Sequence, residues 1–115
     1  MQLISPDIVI RGRNAWRKAI PEIQKITKSP LILGRSPKTR PLRSIISDDL
    51  NKCNLNVVNA ELEFDCCEED LKRIHEIAIK KKCDSIITAG GGKVLDAGKL
   101  LAEYLSLPCI TIPLS

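Results

Sequence analysis

Rings and histidine are nearly missing from this chain: one Trp, one Tyr, one Phe and one His stand in 115 residues. Three rings give no platform for stacking successive bases. No arginine-rich tract or recognised module accompanies them, so the formal net charge of +4 does not imply a nucleic-acid partner. The charges, 28% of the residues, carry both signs and are spread along the chain rather than blocked. No apolar run approaches the ~20 residues that cross a bilayer. The stretch from Met1 to Arg11 lacks a basic segment followed by an apolar one. No membrane partner is expected, and the cytoplasm is the expected location. The cysteines, Cys53, Cys66, Cys67, Cys83 and Cys109, are odd in number and irregular in spacing, which argues against a disulfide framework or a CxxC zinc site. They read as free thiols. The vicinal pair Cys66–Cys67 reads as small side chains at a helix start rather than as a soft-metal trap or oxidant sensor.

The hydrophobic content, 43%, is enough to bury one core in a chain of this length, and one domain over residues 1–115 is expected. Short β-branched or apolar runs at Ile8 to Ile10, Leu31 to Leu33, Asn56 to Val58, Ser85 to Thr88 and Cys109 to Ile112 are bounded by polar, Gly or Pro residues and predict strands. Helical periodicity fills the gaps. Trp16, Ile20, Ile23 and Ile26 mark a first helix that Pro21 should kink or restart. Thr39 is placed to cap a second, with Pro41 in its first turn and an apolar face of Leu42, Ile45, Ile46 and Leu50. A third has capping-box spacing at Asp65 and Glu68, and Glu68, Glu69 and Asp70 suit its positive end. Leu71, Ile74, Ile77 and Ala78 form its stripe, and Lys80, Lys81 and Lys82 favour its negative end. His75 reads as a surface residue of that helix, not a ligand. Alternation of strand and helix implies right-handed crossovers and an α/β fold with a mainly parallel sheet covered on both faces.

The segment Thr88-Ala89-Gly90-Gly91-Gly92-Lys93-Val94-Leu95-Asp96-Ala97-Gly98-Lys99 follows an apolar strand and opens an amphipathic helix. Glycines without Cβ atoms let a backbone approach an anion, and the N–H groups of a helix start point along a favourable dipole. Open α/β sheets bind ligands at the carboxyl ends of strands, where this loop falls. Two familiar patterns do not fit. The GxGxxG fingerprint fails at Leu95, which stands where the third glycine belongs. The Walker A loop fails because five residues separate Gly92 from Gly98 and Leu100 replaces the magnesium-binding Ser or Thr.

The run Gly90 to Lys99, followed by Leu107-Pro108 and Ile112-Pro113, resembles the GGGxxxDxxK signature and downstream proline of iron-containing alcohol dehydrogenases and glycerol dehydrogenases. Lys93 inside the run points towards the glycerol dehydrogenases. Gly12 after the first strand and Pro30 to Gly34 in the second extend the resemblance over nearly the whole chain. What it implies is a Rossmann-like sheet of the dehydroquinate synthase-like N-terminal type and a dinucleotide, NAD or NADP, as ligand. Dehydroquinate synthases and sn-glycerol-1-phosphate dehydrogenases share the fold, so the substrate stays open. By match of motif, Gly90, Gly91, Gly92 and Lys93 are expected at the cofactor phosphates and Asp96 near the nicotinamide ribose. Lys99 is either an active-site cation or an i,i+3 partner of Asp96. Gly98 reads as a packing glycine where the helix meets the sheet.

The chain also departs from that pattern. The family places an acidic residue after the second strand, at the adenosine ribose, whereas this chain has Gly34-Arg35-Ser36-Pro37-Lys38. Arg35, Ser36 and Lys38 suit a ribose 2′-phosphate and hence NADP, or else belong to an exposed basic loop. Leu114 stands where a threonine usually follows the proline. The family's zinc or iron is held by an Asp and two His of a following helical domain, which these 115 residues lack, so no metal site and no catalytic residue is expected here. The leading reading is the NAD(P)-binding domain of a polyol or alcohol dehydrogenase, inactive alone, with a further domain or a second copy of the chain as partner. The alternative is a stand-alone nucleotide-binding or interaction module.

Overall fold

The computed structural model describes residues 8–63 and 68–114. Its elements run β1 (Ile8–Val9), α1 (Arg13–Ile26), β2 (Pro30–Gly34), a 3-10 turn (Pro37–Thr39), α2 (Arg40–Lys52), β3 (Val58–Glu61), α3 (Glu68–Lys80), β4 (Ser85–Gly90), α4 (Gly92–Leu105) and β5 (Cys109–Pro113). All pairings are parallel, in the order β1-β5-β4-β2-β3. The expected α/β architecture is therefore what the chain adopts.

Every residue of β2 and of β4 is buried, as strands covered on both faces must be. Side chains alternate between two cores. Leu31, Leu33 and Ile86 pack with Ile74, Ala78, Val94 and Leu101 under α3 and α4. Ile32, Ile87, Ala89 and Ile110 pack with Trp16, Ile23, Ile46 and Leu50 under α1 and α2. The chain leaves β2 outward to β3 and leaves β4 in the opposite direction to β5, through helices on opposite faces. Adjacent β2 and β4 thus flank the point where the winding reverses, and a crevice opens there between the loops at their carboxyl ends. At the other end of the sheet, Asp84 ties two turns together by accepting the Thr27 hydroxyl and the N–H groups of Lys28 (2.9 Å) and Ser29 (3.0 Å).

Several local expectations change. α1 runs unbroken through Pro21, which sits on its exposed face. β3 begins two residues later than the apolar run Asn56 to Val58 suggests, because its partner Leu31 pairs with Val58 and fixes the register. Thr39 makes no side-chain cap to α2. Ser36 instead accepts from the Lys38 N–H at 3.2 Å and caps the 3-10 turn. α2 turns a different face inward: Arg43, Ile46, Ser47 and Leu50 are buried, while Leu42 and Ile45 are exposed. Asp70 is not a surface charge at the helix start but buried, accepting from the Glu63 N–H and from Arg73, each at 3.2 Å. Cys53, Cys83 and Cys109 stand outside any disulfide; Asp65, Cys66 and Cys67 lie outside the described residues.

Candidate functional site

Each wall of the crevice is set by its own local chemistry. On the β4 side, Gly90 takes φ +152°, a backbone conformation that L side chains rarely adopt, and its carbonyl accepts from the Leu114 N–H at 3.0 Å. Gly91 is the N-cap of α4 and has no side chain with which to cap it. The helix start is held against the sheet from behind, where the Thr88 hydroxyl donates to the Val94 carbonyl at 2.6 Å. A Cβ built on Gly91 or on Gly92 would meet no atom within 4 Å. No neighbour among the described residues accounts for these bare positions, and the first-turn N–H groups of a helix favour an anion in front of them.

On the β2 side, Gly34 is bare because Arg43 lies across it: an added Cβ would come within 2.0 Å of Arg43 Nε. The guanidinium donates to the Ser36 carbonyl at 3.1 Å, to the Thr39 hydroxyl and to the Glu61 carboxylate. Glu61 also takes a two-pronged pair from Arg40, at 2.8 and 2.9 Å. The Arg40 guanidinium, helped by Arg43, holds the Glu61 carboxyl below the usual carboxylate range against the burial that would raise it.

These walls enclose a narrow cleft of about 230 Å³ lined by Arg35, Ser36, Thr39, Gly90, Gly91, Gly92, Lys93 and Val94. Two segments singled out separately in the sequence therefore face one space. Arg35 and Ser36 also line a wider cleft of about 1240 Å³ that runs past Arg40, Arg43, Asn59 and Glu61 towards Arg73. Asp96 and Lys99, by contrast, are exposed on α4, line neither cleft, and form no ion pair with one another. Gly98 does face the sheet, but its neighbour is Thr88, whose Cβ an added side chain would meet at 2.3 Å.

Sequence reasoning missed Arg43 and Glu61. One signal was available: Arg43, Ile46, Ser47 and Leu50 also fall at helical spacing, and share Ile46 and Leu50 with the more apolar stripe. Among the described residues no three His, Cys, Asp or Glu side chains come together in a group that would hold a metal ion. No described helix is long and apolar enough to cross a membrane.

Comparison with known proteins fits this geometry. The family described as iron-containing alcohol dehydrogenase matches residues 6–115. The chain belongs to that family. An uncharacterized oxidoreductase of Synechocystis is 30% identical over 112 residues, covering 97% of this chain and 29% of that protein. A glycerol dehydrogenase of Escherichia coli is 25% identical, covering 95% of this chain and 30% of that protein. Among family structures, the crystal structure of glycerol dehydrogenase from Schizosaccharomyces pombe superposes with a TM-score of 0.76 at 22% identity, over 95% of this chain and 28% of that one. The chain thus spans 24–30% of the length of the curated relatives that it matches.

Proposed function

We propose that these residues form the NAD(P)-binding domain of a glycerol dehydrogenase-like oxidoreductase, acting on the CH–OH group of a polyol or alcohol. The observation that carries the reading is the cleft at the winding reversal, where bare Gly91 and Gly92 face Arg35 and Ser36. Gly90 to Lys93 would hold the pyrophosphate by backbone approach and the helix dipole. Arg35 would meet the 2′-phosphate of NADP, since a guanidinium forms charge-assisted, often two-pronged bonds to phosphate. When bound, the dinucleotide supplies the hydride acceptor. Asp96, exposed on α4 outside both clefts, would stand near the nicotinamide ribose. The relatives whose names state an activity include glycerol dehydrogenases and a glycolaldehyde reductase, which supports a small hydroxy compound as substrate.

Titration of NAD and NADP into the wild-type chain and Arg35→Asp tests the cofactor half of the proposal. NADP is expected to bind more tightly, by roughly tenfold for one charge-assisted contact, and the substitution and added salt should each erode the difference. Equal affinities in the wild type would return Arg35 to a solvated surface role. The 115 residues alone are expected to show no alcohol-dependent reduction of either dinucleotide, and turnover above a blank would sink that part.

A further inference from the structure

We propose that Arg43 is a positioning residue for the turn after β2, fixing where Arg35 and Ser36 stand and so setting the preference for a 2′-phosphorylated dinucleotide; this rests on the cofactor reading above. A buried guanidinium is costly unless its donors are met, and Arg43 is 4% exposed. Its three acceptors are arranged to one purpose. The Ser36 carbonyl and Thr39 hydroxyl lie at the two ends of the 3-10 turn, and Glu61 lies on the next strand, in register with Gly34. Because Gly34 has no Cβ, Arg43 passes directly over it and staples the turn to both strands.

The orientation of α2 supports this assignment. Rotation about the helix axis would bury Leu42 and Ile45, which instead remain 42% and 51% exposed while Arg43 and Ser47 face inward. Apolar burial alone would favour the opposite choice. What the observed orientation secures is the turn whose first residues, Arg35 and Ser36, look onto Gly90 to Lys93 across the narrow cleft. Arg43 does not line that cleft and only borders the wider one beside Arg35 and Ser36; the proposed effect lies in the turn, and Arg43→Met separates this from direct contact.

The test is the ratio of NAD to NADP dissociation constants in the wild type, Arg43→Lys, Arg43→Met and Gly34→Ala, with urea melts of each. Arg43→Lys keeps the charge but cannot reach three separated acceptors. Gly34→Ala keeps Arg43 and displaces it, giving a second route should Arg43→Met fail to fold. Loss of about tenfold in the ratio is expected in both Arg43→Lys and Gly34→Ala, the size of one misaligned charge-assisted contact. A merely structural role would weaken both dinucleotides alike and leave the ratio unmoved, which overturns the proposal. So does loss of the ratio in Arg43→Met alone, because that marks a direct charge effect. A wild type that binds neither dinucleotide overturns the cofactor reading and this inference with it; one that binds both equally leaves the dinucleotide reading standing and overturns the 2′-phosphate preference, and with it this inference.

Discussion

Gly98 and Gly91 belong to one helix and its cap, yet they lack a side chain for opposite reasons. Behind the helix, Gly98 is pressed onto Thr88 of the central strand, and the space a side chain would need is already filled. In front, a Cβ on Gly91 would meet no other described residue within 4 Å, although its φ of −83° would suit any residue. The β2 side repeats the first case, with Arg43 in the space over Gly34. A glycine explained by a neighbour reports packing. A glycine with neither a neighbour among the described residues nor an unusual φ is not explained by packing or by backbone conformation.

The sharpest way to break the comparison is to put the same side chain at both positions. Gly98→Val drives a branched carbon into Thr88, which is fixed on a buried strand, and should cost about 3 kcal/mol in stability by urea unfolding. A loss under about 1 kcal/mol would show that the helix can lift off the strand without difficulty. Gly91→Val should leave the cooperative melt nearly unchanged and weaken dinucleotide binding tenfold or more, worth about 1.4 kcal/mol, because the new methyls occupy the anion's approach. Unchanged affinity by calorimetry would count against the cradle.

The smallest effect concerns the carboxylates at opposite ends of the sheet. Burial alone would raise the Asp84 carboxyl, but the Thr27 hydroxyl and the N–H groups of Lys28 and Ser29 outweigh it and leave it below the ordinary value. Glu61 is lowered in the same direction by Arg40 and Arg43. A carboxyl lowered on folding stabilises fully above its unfolded pKa, near 4, and loses that contribution as pH falls through the folded value. Stability should therefore decline on acidification below about pH 4, by about 1 kcal/mol or less per group after screening by solvent. Asp84→Asn should flatten that decline in urea midpoints measured across the acid range; an identical slope in the variant would remove Asp84 from the account.

Much of the fold was legible because its signals are local. Strands buried on both faces read as short continuous apolar runs, and β2, β4 and β5 fall where those runs lie. The glycine loop was legible for the same reason, since three adjacent glycines between an apolar strand and a helix mark the turn between them. Arg35 and Ser36 could be named from the resemblance, although nothing in the linear order says they stand opposite Gly90 to Lys93.

Illegible were the features that depend on which of two similar surfaces wins. α2 carries two stripes of the same period, and apolar content points to Leu42 and Ile45. The structure selects Arg43 and Ser47 because Gly34 leaves room for a guanidinium and Glu61, on a neighbouring strand, supplies its counter-charge. Asp70 was misread in the same way: a first-turn carboxylate looks like a helix-dipole charge until the Glu63 N–H is folded onto it. Sequence by itself determined the element types, the parallel α/β class and the position of the glycine loop at a helix start, since periodicity and missing Cβ atoms act within a few residues. Only the tertiary structure decided the strand order that brings β2 beside β4, and with it the cleft and the buried Arg43. Those arise from pairings between distant segments, whose partners no local pattern specifies.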